Sequence, residues 1–169
     1  YLTRVNLMDA ANPETDTPIN IGKKVVVVGG GNTAMDSCRT AKRLGADVTI
    51  VYRRSEVEMP ARLEEVKHAK EEGIEFCLLT SPLSIKGDEN GYVCAMNYQN
   101  MELGEPDASC RRRPIPVEGS EYDSDVDCVI MALGTSPNPL IKSTTKGLDV
   151  NRKGGIIVEE ATGKTSRDG

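Results

Sequence analysis

The sequence predicts an α/β fold of three layers, with a parallel central sheet and an antiparallel β-meander inserted into it. Three observations carry this. Two apolar runs, Lys24–Val28 and Asp127–Leu133, are continuous rather than alternating, as in strands buried on both faces of a parallel sheet. Strand-like and helix-like stretches alternate as β-α-β-α-β from Lys24 to Leu79, the order of a doubly wound sheet. Between those two halves lies a stretch of strict alternation around the turn "GDENG", which reads as antiparallel strands.

Taken in order, Tyr1 to Asp9 has Leu2, Val5 and Met8 at helical spacing, and "AANPETDTPINIG" follows as a linker. Lys24–Val28 is the first strand. Asn32 to Leu44 has helical periodicity, with Ala34, Cys38, Ala41 and Leu44 toward the sheet, and Gly45 supplies the residue of positive φ that ends it. "DVTIVY" is the second strand. Pro60 opens a second helix to Glu72, with Leu63, Val66 and Ala69 inward, and "IEFCLL" is the third strand. "PLSIKGDENGYVCAMNYQNMELG" supplies two alternating strands, "RRRPIPVEGSEYDSD" is polar with room for a third, "DCVIMAL" rejoins the main sheet, and "GGIIVEE" is a last short strand.

Composition narrows the function. A net charge of −5 gives no electrostatic reason to expect nucleic acid, and one Phe, five Tyr and no Trp make no base-stacking surface. No apolar run approaches membrane-spanning length. The five cysteines include no CxxC pair, which argues against a zinc site or disulfide scaffold and fits a reducing cytoplasm. His68, the single histidine, falls on the outer face of the second helix. Cys38 and Cys128 read as packing residues, and Arg111 to Arg113 as a solvated loop or a docking patch. No Tyr-x-x-x-Lys and no other acid–base constellation is present.

The chemistry concentrates at Gly29-Gly30-Gly31-Asn32-Thr33-Ala34, a G-x-G-x-x-A loop between a strand and a helix. That context is the dinucleotide-binding fingerprint, so the domain is expected to be Rossmann-like. The first glycine allows the tight turn, Gly31 lets a pyrophosphate approach the backbone, and Ala34 lets helix and strand pack closely. The helix N-terminus offers free N–H groups to the phosphates, and Asn32 or Thr33 can add a side-chain donor. The second strand ends in Tyr52-Arg53-Arg54 where NAD-binding units place an acid. Two guanidinium groups suit the 2′-phosphate of NADP(H); the plainer alternative is surface charge.

"GGGNTAMDSCRTAKRLGADVTIVYRRSEVEMPARLEEVKHAKEEGIEF", with "VIMALGTSPN" later, resembles the NADPH domain of the glutamate synthase small (beta) subunit and related NADPH-dependent flavin oxidoreductases. The resemblance covers essentially the whole chain. It implies that Gly29, Gly30, Gly31, Asn32 and Thr33 hold the pyrophosphate, that Arg53 and Arg54 hold the 2′-phosphate, that Met59 to Arg62 line the cleft, and that Ala132, Leu133, Gly134 and Thr135 lie along its other side. It implies residues 1–20 as linker and tail of a flanking FAD domain, 21–165 as the NADPH-binding domain and 166–169 as the return to the FAD domain. The chain is then expected to be a fragment of a longer protein, inactive alone. FAD and iron–sulfur clusters would be carried by the full-length parent, with an electron-accepting large subunit as partner. The rival readings are a non-catalytic NADP(H)-sensing module and a degenerate domain serving as an interface.

Overall fold

Four consecutive valines have β-branched side chains that pack best on a pleated, two-sided surface, and they form the middle of the fold. In the computed structural model, which describes residues 1–20, 22–106 and 112–167, the chain divides into two units, Tyr1–Leu133 and Gly134–Gly169. In the first unit a parallel sheet has the order β3-β2-β1-β8, built from β1 (Lys24–Val28), β2 (Asp47–Tyr52), β3 (Glu75–Leu78) and β8 (Cys128–Met131). The helices α1 (Asn32–Arg43) and α2 (Leu63–Glu71) connect the first three strands.

Strand period separates two cores. Val25, Val27, Val48 and Ile50 join Ala34, Met35, Cys38 and Ala41 of α1 and Val66 and Ala69 of α2. Val26, Val28 and Val51 join Met96, Tyr98 and Val126 on the other side. Met96 and Tyr98 come from a second, antiparallel sheet. It comprises β4 (Thr80–Gly87), β5 (Val93–Pro106) and β6 (Arg112–Pro116), with β7 (Tyr122–Asp125) also paired to β5. The three layers expected from sequence are therefore helices, parallel sheet and antiparallel sheet.

Two polar devices hold the layers in place. The Asp127 carboxylate accepts from the backbone N–H groups of Lys23 and Lys24 at 2.9–3.0 Å, pinning the start of β1 to β8. Between the helices, the Arg39 guanidinium reaches Glu65 and Glu72, each at 2.8 Å, and Arg43 reaches Glu72 at 2.7 Å.

Several expectations need correction. Tyr1 to Asp9 contains only a π-helical turn, Thr3–Leu7, and Met8 is exposed. The second helix opens at Leu63, not Pro60, because Gly30 and Asn32 draw the backbone of Ala61 and Arg62 onto the glycine loop first. Leu63 then lies in the first turn and is 80% exposed rather than inward. The "RRRPIPVEGSEYDSD" stretch carries two strands, β6 and β7, and Arg112 belongs to β6; Cys110 and Arg111 lie outside the described residues.

In the second unit, Pro139–Thr144 forms a short helix, α3, capped by the Asn138 side chain accepting from the Leu140 N–H at 3.0 Å. It was not anticipated from sequence. "GGIIVEE" is not a strand there: one isolated bridge, Val150 to Ile156, is made, and Ile156, Ile157 and Val158 are about half exposed.

Candidate functional site

The three glycines at the end of β1 have three different neighbours. Gly29 has a φ of 143°, and a Cβ there would collide with the Ala132 carbonyl. A Cβ on Gly30 would lie 2.7 Å from the Tyr52 ring. Both are therefore required by packing against β8 and β2. Gly31 differs: it is extended, and the nearest atom to a Cβ built there is Pro60 Cγ at 4.0 Å. Gly31 at the N-terminus of α1 thus has room for a Cβ, with Pro60 just in contact.

The Gly31 carbonyl accepts from the N–H groups of Ala34 and Met35 at 2.9 and 3.1 Å. Among the described residues, the N–H groups of Asn32 and Thr33 have no backbone carbonyl partner. Free N–H groups at a helix start carry the positive end of its dipole. Ala34 is fully buried beneath them.

The segment after β2 folds back over this loop. The Ala61 N–H donates to the Gly30 carbonyl at 3.0 Å, and the Arg62 N–H donates to Asn32 Oδ1 at 3.0 Å. The Tyr52 hydroxyl donates to the Glu58 carbonyl at 2.8 Å. Met59 is buried in the helical core, so it anchors the segment from beneath, while Arg62 is exposed. Asn32 thus braces the fold-back with its side-chain carbonyl oxygen, which leaves its amide N–H groups as the side-chain donor that sequence alone read.

At the end of β2, Arg53 is exposed and Arg54 is half-buried. The Arg54 Nε is enclosed and, among the described residues, has no hydrogen-bond partner. A buried guanidinium N–H without an acceptor is costly unless a ligand supplies one. One residue on, the Ser55 hydroxyl donates to Glu58 Oε2, while Arg112 of β6 donates to Glu58 Oε1 from Nε at 3.1 Å and Nη2 at 3.0 Å. The Ser55 hydroxyl first, and then Arg112, hold the Glu58 carboxyl below the usual carboxylate range.

Ala132 continues the β8 ladder, its N–H donating to Val28 at 2.9 Å, and Leu133 beyond it is exposed. Gly134 and Thr135 are exposed residues of the second unit. Glu58 and Arg112 were missed from sequence: they stand 54 residues apart, and Arg112 read as solvated charge. His68 is exposed on α2, and burial pushes the Cys38 thiol up to about 12. Neither bears on the loop. A groove of about 440 Å³ lies between the two sheets, lined among others by Lys24, Glu75, Cys77 and Tyr98, and includes no residue of the glycine loop. Among the described residues no cluster of metal-ligating side chains occurs and no helix is long and apolar enough to cross a membrane.

Comparison with known proteins places the chain in a family and agrees with its fold. A sequence model of the pyridine nucleotide-disulphide oxidoreductase family matches residues 2–169. The chain is 45% identical over 158 residues to the NADPH-Fe(3+) oxidoreductase subunit beta of Geobacter sulfurreducens, covering 90% of the chain and 24% of that protein. It is 45% identical over 142 residues to the glutamate synthase [NADPH] small chain of Escherichia coli, covering 83% of the chain and 30% of that protein. The resemblance noted from the glycine loop and "YRRSEVEMPAR" is thus borne out, and the chain spans less than a third of either relative. Among solved structures, thioredoxin reductase of Lactococcus lactis has the same fold with a TM-score of 0.65 at 23% identity, over 85% of this chain and 41% of that one. Thioredoxin reductase of T. acidophilum does so with a TM-score of 0.64 at 20% identity, over 86% and 41%.

Proposed function

The chain belongs to the pyridine nucleotide-disulphide oxidoreductase family, and from that premise we propose that it is the NADPH-binding domain of a flavin-dependent oxidoreductase of the glutamate synthase small-chain type. The observation that carries this is the pairing of an uncrowded Gly31 backbone with Arg54, whose Nε has no partner among the described residues, at the end of the neighbouring strand. One site can take a pyrophosphate against bare backbone and the free N–H groups of Asn32 and Thr33. The other can take a 2′-phosphate on Arg53 and Arg54, whose forked N–H groups match phosphate oxygens. The names of the relatives, two of which specify NADPH, support the same choice.

When bound, NADPH supplies a hydride. The protein's part is to hold and orient it. Gly29 and Gly30 close the turn, Gly31 leaves room, and Pro60 to Arg62, braced by Asn32, wall the cleft. Ala132 and Leu133, at the end of β8, are proposed for its other side. The acceptor proposed is FAD on a flanking domain of the same polypeptide, with electrons passing through iron–sulfur clusters to a partner subunit. The subunit designations of the relatives support such a partner.

The test is calorimetric titration with NADPH and NADH. NADPH is expected to bind more tightly, and replacing Arg53 and Arg54 by Ala is expected to cost about 1.5–3 kcal/mol per charge-assisted contact, almost entirely for NADPH. Equal affinity of the unaltered chain for the two nucleotides would overturn the assignment.

A further inference from the structure

The turn that follows the two arginines carries a carboxylate, a group that opposes a phosphate. Glu58 is held in the turn that directly follows Arg53 and Arg54: its Oε2 accepts from Ser55, the residue after Arg54, and its own N–H donates to the Ser55 carbonyl at 3.2 Å. Its side chain is 14% exposed. A carboxylate at this position favours a ribose hydroxyl over a phosphate. Its other oxygen is taken by Arg112, which arrives from the antiparallel sheet, and among the described residues Arg54 Nε has no partner.

We propose that Arg112 is a specificity-determining residue: by pairing with Glu58 it leaves Arg53 and Arg54 free for the 2′-phosphate of NADPH. This rests on the NADPH reading above. With the Glu58–Arg112 pair made, the segment presents two uncompensated guanidinium groups. Without Arg112, Glu58 is a free anion in the turn that follows them, with the enclosed Arg54 Nε as a partner within its own segment. The site then loses cationic charge and sets a negative group against the phosphate. NADH, which lacks that phosphate, is indifferent to the change. Arg112 acts through Glu58 and is a positioning residue rather than a ligand.

The experiment is titration of the 169-residue chain and four variants with NADPH and NADH, folding being checked by circular dichroism. Arg112→Gln is expected to weaken NADPH about tenfold, equivalent to ~1.4 kcal/mol, with NADH changed less than about twofold. Arg112→Lys, which keeps the charge, is expected to restore most of the NADPH preference. Glu58→Gln removes the anion to be masked and sets the reference. The double variant Glu58→Gln/Arg112→Gln is expected to match it in NADPH-to-NADH ratio. If Arg112→Gln weakens both nucleotides equally, Arg112 is only a structural strut and the proposal falls. If the double variant remains as poor for NADPH as Arg112→Gln, Arg112 touches the phosphate itself and the masking role is wrong. Should Arg112→Gln not fold, the comparison of Arg112→Lys and the double variant with Glu58→Gln decides alone. An unaltered chain without NADPH preference would instead overturn the nucleotide assignment, a separate result.

Discussion

Adjacent glycines in one loop answer to different forces, and substitution separates them. Gly30 has no room for a methyl group because the Tyr52 ring fills the space. Gly30→Ala is expected to destabilise the chain by about 1–3 kcal/mol, the usual cost of overpacking, read from a denaturant midpoint. Gly31 sits in an extended conformation that any residue adopts, with room for a Cβ. Gly31→Val is expected to leave circular dichroism unchanged and to abolish nucleotide binding. If Gly31→Val bound NADPH as well as the unaltered chain, the pyrophosphate would have to lie elsewhere.

At the scale of elements, charge decides how the pieces meet. The Glu72 carboxyl is held below the usual range by hydrogen bonds from Arg43 first and Arg39 second. Its folded pKa is therefore lower than its unfolded one. The stabilisation it contributes is present above the unfolded value of about 4.3 and is lost as pH falls through the folded value. Thermal unfolding temperature is expected to drop on acidification from about pH 5 toward pH 3, and Glu72→Gln to be less sensitive over that range. The start of β1 gives a sharper case. Asp127→Ala strips the acceptor from the Lys23 and Lys24 N–H groups and is expected to cost about 1.5–3 kcal/mol, the range for hydrogen bonds to a charged group. A change under half of that would mean that water replaces the carboxylate freely.

Across the first unit, one parallel sheet serves two cores, one shared with the helices and one with the antiparallel sheet. Met96 is almost fully buried in the second core. Met96→Ala is expected to cost about 2–5 kcal/mol while unfolding remains a single transition, since both cores share β1 and β2. A separate early transition for the antiparallel sheet would show that the cores are independent.

The sequence by itself determined the parallel sheet, the two main helices, the meander and the glycine loop. These rest on local periodicity and turn chemistry, which act between near neighbours along the chain. Continuous valines can only suit a two-faced strand, and a G-x-G-x-x-A loop between strand and helix leaves few geometries. The extra strand β7 was not legible, because all four of its residues are exposed and carry no apolar alternation. Leu63 misled because helical spacing does not reveal where a helix begins. Arg112 and Glu58 were invisible for a further reason: their pairing joins the turn after β2 to the antiparallel sheet across 54 residues, and only tertiary packing brings such groups within a hydrogen bond. The sequence therefore disclosed the glycine loop and the arginines proposed to hold a nucleotide, while the fold decided which charges pair in the turn that follows them.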